Sequence, residues 1–192
     1  MSEGQELTTT DGSQQLLVGS PDERLAQAIN IANALAPLIQ RHKLYVLIHN
    51  RKYVLYEGWT TLGALLGVFP ITSWTHPVED GWEARVEART LGGAVVGAAE
   101  AQCTRQETTW ANRDDFALRS MAQTRAGGKA LRMPLGFIMQ LAGYEATPAE
   151  EMPTNESSPL VTAAKRQGAS VRAVVKEGRP HCPDHPQMTI WK

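Results

Sequence analysis

Arg125, Lys129 and Arg132 follow one another at intervals of four and three residues. On a helix turning 100° per residue they share a face about 60° wide. Three cationic heads on one face suit a sugar-phosphate chain, because each neutralises a phosphate and releases a counterion without reading a base. Gly127 and Gly128 lie between them and would let a backbone approach closely. Each glycine costs a helix interior about 1 kcal/mol relative to alanine, so a compensating contact is expected there. From Phe116 to Gly143 there is no Asp or Glu, whereas Arg119, Arg125, Lys129 and Arg132 are all present. The same pattern also fits a solvated helix face, or cations paired with Glu83 or Glu87 of an adjacent sheet.

Other groupings are weaker. His181, Cys182 and His185 give half of a zinc site, but a tetrahedral ion needs two further ligands, and the tail after them offers nothing beyond Trp191 and Lys192. Trp59, Trp74, Trp82 and Trp110 could stack on bases; Trp59 and Trp82 fit apolar stripes and read as core, which leaves Trp110, in a polar loop, and Tyr53 as stacking candidates. No nucleophile with a base, no paired carboxylates and no metal triad stand out, and Asp114-Asp115 reads as a helix cap. No Gly-x-x-x-x-Gly-Lys-Ser/Thr phosphate loop occurs. The chain is therefore expected to bind rather than catalyse, with no cofactor.

The elements that would carry these residues are legible from periodicity. Ser20, Pro21 and Glu23 make a capping box with a first-turn proline, and Leu25, Ile29, Ala32 and Ala36 repeat at helical spacing until Pro37, which should end or kink the helix. Leu44 to Ile48 and Tyr53 to Tyr56 read as a hairpin around His49-Asn50-Arg51-Lys52. Gly58 should break the second strand, and Trp59, Leu62, Leu65, Leu66 and Phe69 should form a short helix stopped by Pro70. Ile71 to His76, Trp82 to Thr90 and Ala94 to Thr104, separated by Asp80-Gly81 and Gly92-Gly93, predict a three-stranded antiparallel meander. Trp82, Ala84, Val86 and Ala88 alternate with Glu83, Arg85, Glu87 and Arg89, so one sheet face is buried and one wet. A long basic helix from Asp115 to Arg132 follows, kinked or restarted at Pro134 and closed by Gly143. The class is α+β, with the hairpin, short helix and meander packed on the long helix.

The 192 residues suffice for one core, and 42% hydrophobic composition is that of a globular chain. Residues 1–19 read as a disordered arm, 20–146 as the folded domain, and 147–192 as an acidic linker and a basic tail with Lys165, Arg166, Arg172, Lys176 and Arg179. Two cysteines far apart argue against a disulfide framework, and no apolar run is long enough to span a bilayer. Met1 to Gln15 is polar and acidic, unlike a secretory leader, so a cytoplasmic chain without membrane contact is expected. The net charge of -1 excludes indiscriminate coating of nucleic acid; what matters is its segregation, with acids in the first 40 residues and again from Tyr144 to Ser158.

The stretch Tyr53-Val-Leu-Tyr-Glu-Gly-Trp59, the helix Thr60 to Phe69, the meander, and the block from Ser120 to Phe137 containing Thr124-Arg-Ala-Gly-Gly-Lys-Ala-Leu-Arg132 together resemble phage-type single-strand annealing proteins. That superfamily includes RecT, Erf, the lambda Beta protein and the Rad-fifty-two annealing domain. The likeness covers about Tyr45 to Tyr144, and the continuation through Met152 also resembles a group of uncharacterised phage and prophage proteins. It implies a homo-oligomeric ring or filament that holds single-stranded DNA along its rim and anneals complementary strands without nucleotide hydrolysis, alongside a phage exonuclease or a host single-strand-binding protein. By position, Lys129 and Arg132 would contact the phosphates, joined by Arg125, Arg119, Arg51 and Lys52. Pro134 and Gly127-Gly128 depart from the more regular helix of that family. The alternative from another class is a phage interaction or assembly module whose basic helix binds an acidic protein surface.

Overall fold

A computed structural model of the chain describes residues 16–152 and a separate pair of short antiparallel strands, His181–Cys182 and His185–Thr189. Helix α1 runs from Pro21 to His42. Its start is the expected capping box: the Glu23 amide donates to Ser20 Oγ, and the Ser20 amide donates to Glu23 Oε2 at 2.7 Å. Pro37 does not end the helix. Pro37 and Asn33, whose carbonyl the proline leaves without its helical donor, both lie on the exposed side, so that oxygen is not sealed in the core. The helix stops instead at Lys43, which takes up a left-handed conformation. Leu16 and Leu17, assigned to the arm from composition, pack against the core beside α1.

Strands β1 (Tyr45–Ile48) and β2 (Arg51–Val54) form a hairpin whose two-residue turn, His49-Asn50, has positive φ at both positions, the geometry that matches strand twist. Arg51 and Lys52 therefore belong to β2 rather than to the turn. Helix α2 begins at Tyr56 and ends at Leu65. Gly58 lies inside it, because a Cβ there would collide with the Val54 side chain. The helical spacing from Trp59 to Phe69 misplaces Phe69. Gly67, at φ +67°, turns the chain out of the helix, and Phe69 and Pro70 already belong to β3 (Val68–Val78).

β3, β4 (Gly81–Thr90) and β5 (Val95–Thr104) make the antiparallel meander in the order β3-β4-β5. Ala84, Val86 and Ala88 are buried as the alternation requires; on the outer face Arg85, Glu87 and Arg89 form a chain of ion pairs that extends to Glu100, and Glu83 meets His76 and Gln102. Both prolines of β3 are tolerated because β3 is an edge strand. Pro70 pairs with Ala88 and Pro77 with Trp82, which places both missing donors on the open side of the ladder.

Helix α3 (Asp115–Leu141) is continuous through Pro134 and lies across the buried face of the sheet. Its sheet-facing surface is built from small and apolar residues, with Ala122, Ala126, Ala130, Leu131 and Leu135 fully buried beside Trp59 and Leu62 of α2. Pro134 deprives the Ala130 carbonyl of its helical donor, and that oxygen abuts Gly97 on β5, where an added Cβ would strike it. The architecture is α+β, with hairpin, short helix and meander packed on the long helix. No helix among the described residues is long and apolar enough to cross a membrane.

The approach of α3 to β5 at Gly97 yields a test. Gly97→Ala should destabilise the protein by about 1–3 kcal/mol in urea unfolding. Gly92→Ala, whose Cβ would have nothing nearer than the Thr90 hydroxyl at 3.8 Å, should leave the midpoint within error.

Candidate functional site

α3 does bring Arg125, Lys129 and Arg132 to one face, but that face is covered. The Arg125 side chain is only 13% exposed. Its two terminal nitrogens donate to both carboxylate oxygens of Glu107 at 2.7 and 2.6 Å, Nη1 donates also to the Gln102 carbonyl at 3.0 Å, and Nε donates to the Glu150 carbonyl at 3.1 Å. Burial pushes the Glu107 carboxyl up, and the Arg125 hydrogen bonds and charge outweigh it, leaving Glu107 below its ordinary range. A planar fork with four of its five N–H donors so engaged cannot offer a phosphate the paired donors of a bidentate contact. Arg125 is thus a structural crosslink, and its assignment to binding is corrected. Its partner is neither Glu83 nor Glu87, because those carboxylates sit on the outer face of the sheet.

The glycines are explained in the same way. A Cβ on Gly127 would lie 2.7 Å from the Tyr56 hydroxyl oxygen and 2.8 Å from its ring, and one on Gly128 would lie 3.1 Å from Pro148. What approaches the helix closely is the ring of Tyr56 and the segment after Gly143, both from this chain. That segment is not the open linker its composition suggests: Pro148, Ala149 and Glu150 are buried, and Ala149–Glu151 forms a turn of 3-10 helix, so the folded unit continues past 146 to Met152.

This turn carries two acids onto the cationic face. Glu151 Oε2 is 3.1 Å from Arg132 Nη1. Burial raises the Glu151 carboxyl, while the charges of Arg132 and Lys129 pull it back. Glu150 accepts the Tyr56 amide at 2.9 Å and so caps the first turn of α2, which lacks a side-chain cap of its own. Because it is 7% exposed, desolvation raises its carboxyl to about 7. Lys129 lines a cleft of about 280 Å³ together with Arg125, Glu107, Glu150, Glu151 and Gln102.

The hairpin supplies the far side of this seam. The Glu145 amide donates to the Lys52 carbonyl at 2.9 Å, and Ala149 packs with Val46 and Tyr53 in a small second core. Arg51 Nε is 3.3 Å from Glu145 Oε1 with its side chain 65% exposed. Lys52 Nζ sits 5.5 and 5.9 Å from the ring centres of Tyr45 and Tyr144. Segment 145–151 therefore runs between hairpin and α3, with Arg51 paired at one end and Arg132 at the other. Six residue steps reach at most about 20 Å, which bounds the spread of these cations.

Other expected residues lie apart. Arg119 is exposed, donating through Nε to Thr75 Oγ1 at 3.2 Å and covering the Trp82 ring at 5.2 Å, a site that belongs to the β3-β4 end of the sheet. Tyr53 is 7% exposed, which leaves no face for a base, and Trp110 is half-buried against the core. Trp74, named among the tryptophans that could stack on bases, stacks instead on His76 with centroids 4.6 Å apart; the two are alternate residues of β3 beyond the bulge between Thr72 and Trp74 and so share the outer sheet face. The side chains of His181, Cys182 and His185 lie outside the described residues, as does the basic tail; among the described residues no cluster of His, Cys, Asp or Glu could hold a metal ion. Comparison with known proteins found no matching family model, no similar curated protein and no similar solved structure.

Two measurements follow from these contacts. Arg125→Ala leaves a partly buried carboxylate and two carbonyls without their donor and should cost roughly 1–3 kcal/mol in thermal or urea unfolding. For Glu150, the folded chain holds a proton that the unfolded chain has lost between pH 4.5 and about 7, so its ionisation erodes stability as pH rises through that window. Stability of Glu150→Gln relative to the parent should accordingly improve by on the order of 1–3 kcal/mol from pH 4.5 to pH 8. A difference independent of pH would show that Glu150 is not held neutral.

Proposed function

We propose that the chain binds single-stranded DNA along the seam between hairpin and α3, and anneals complementary strands as a homo-oligomer in phage homologous recombination. The observation that carries this reading is the convergence of Arg51 from β2 with Lys129 and Arg132 from α3 on one segment, 145–151, with Lys52 beside it over the Tyr45 and Tyr144 rings. A seam already lined on both sides by cations, and filled by a chain of similar width, has the shape and charge to take a phosphate backbone. Backbone contacts of this kind hold a strand without engaging its bases, which stay available for pairing. Duplex stacking then supplies the driving free energy, and no nucleotide or covalent step is needed. A phage exonuclease or a host single-strand-binding protein is the natural supplier of such strands.

The present pairing of these cations does not oppose the reading. The Arg51–Glu145 pair is largely exposed, and pairs of that kind are worth about 0–1 kcal/mol; the Arg132 guanidinium is 38% exposed, so a strand can reach it although Glu151 is mostly covered. A polyanion that brings several phosphates and releases its counterions competes well against them. Arg125, buried and four times bonded, stays with the protein.

Lys129→Ala with Arg132→Ala, leaving Arg125 intact, should preserve the melting curve yet weaken oligothymidylate binding by tenfold or more, and reduce the slope of log K against log salt by about 1 to 1.5. Annealing of complementary oligonucleotides should fall in parallel, and native mass measurement of the parent should give an oligomer. A monomer that fails to anneal, and that binds an acidic polypeptide equally well, would instead favour an interaction module.

A further inference from the structure

The seam contains, besides its cations, a segment of the chain's own that imitates the ligand. We propose that residues 145–151 are a built-in mask: the carboxylates of Glu145 and Glu151 stand where phosphates of the strand will sit, and entry of the strand displaces them. This rests on the nucleic-acid reading above and adds to it a closed state.

Three observations carry it. First, the outer cations of the seam both pair with acids of this one segment, Arg51 with Glu145 at 3.3 Å and Arg132 with Glu151 at 3.1 Å, so a single strap neutralises both walls. Second, the strap is seated at a cost. Glu150 Oε2 and Glu151 Oε1 are buried with no hydrogen-bond partner among the described residues, and a buried unsatisfied oxygen opposes the closed arrangement. Third, the strap has few anchors of its own. It is held by the Glu145 amide on the Lys52 carbonyl, by the Tyr56 amide on Glu150, by the Arg125 donor to the Glu150 carbonyl, and by Ala149 among Val46 and Tyr53. Pro148 against Gly128 and Met152 beside that small core complete the seat; lifting the strap gives up these contacts and the Arg125 bond to the Glu150 carbonyl, while α3, the hairpin and the Arg125–Glu107 pair stay in place.

Counterions give the mask a distinctive signature. Cations neutralised by the chain's own carboxylates hold no counterions to release, so the parent should show a shallower salt dependence than the number of its phosphate contacts implies. Glu145→Gln with Glu151→Gln removes the masking charge at nearly constant shape. The full-length double variant should bind oligothymidylate about 3- to 10-fold more tightly at fixed moderate salt, with a salt slope steeper by about 1 to 1.5. In the parent, hydrogen exchange at the amides that tie the strap down, those of Glu145 and Tyr56, should speed up on adding the oligonucleotide, since their acceptors, the Lys52 carbonyl and the Glu150 carboxylate, lie across the closed seat.

Should the parent bind, should Lys129→Ala with Arg132→Ala abolish that binding, and should the glutamine variant match the parent in affinity and slope, the mask is wrong and the binding site stands. Slower exchange of the Glu145 and Tyr56 amides on binding overturns the mask in the same way. Where neither parent nor glutamine variant binds oligothymidylate at low salt, the mask and the nucleic-acid reading fail together.

Discussion

The bidentate bond between Arg125 and Glu107 pins the edge of the helix–sheet core and ties a third part, the closing segment, to it. From α3, one guanidinium reaches the loop after β5 through Glu107, the last turn of β5 through the Gln102 carbonyl, and the turn at 149–151 through the Glu150 carbonyl. The sheet, the helix and the closing segment are thereby set in one frame. Removal of a charge from water is costly, and here the cost is offset by four donors placed at acceptors within 3.1 Å. Lys129 and Arg132, one and two turns further along α3, inherit their positions from that anchor.

This arrangement separates two roles that look alike in sequence. Arg125 and Arg132 share residue type and helix face, yet one is enclosed and the other is 38% exposed with a single carboxylate at 3.1 Å. The difference arises from where the covering segment passes. It crosses above Gly127 and Gly128, whose missing side chains admit Tyr56 and Pro148, and leaves α3 near Arg132. The glycines thus set the depth of the seam.

How much of this was legible beforehand depended on whether a signal was local. The capping box at Ser20, the meander with its turns and the burial alternation of β4 follow from neighbours in sequence, and they are present as read. Residues whose partners are remote were misjudged. Glu107 and Glu150 are 18 and 25 positions from Arg125, and nothing in the composition of 147–152, rich in proline and glutamate, distinguishes a docked turn from a linker. Phe69 obeyed helical spacing by coincidence, since Gly67 had already ended α2. Pro37 and Pro134 both lie within helices, one because its side faces water and the other because Gly97 receives the carbonyl it leaves behind. The cations themselves were found; which of them an external anion could reach was a question about the fold.

The prolines of β3 bear on the history of the chain before any partner is met. A strand laid against the outer rim of β3 would look for amide hydrogens at positions 70 and 77 and find none, six ladder steps apart, with the bulge at 72–74 twisting the rim between them. Stacking of nascent chains into fibrils through that rim is thereby discouraged, so the sheet tolerates an unroofed border during synthesis at high local concentration.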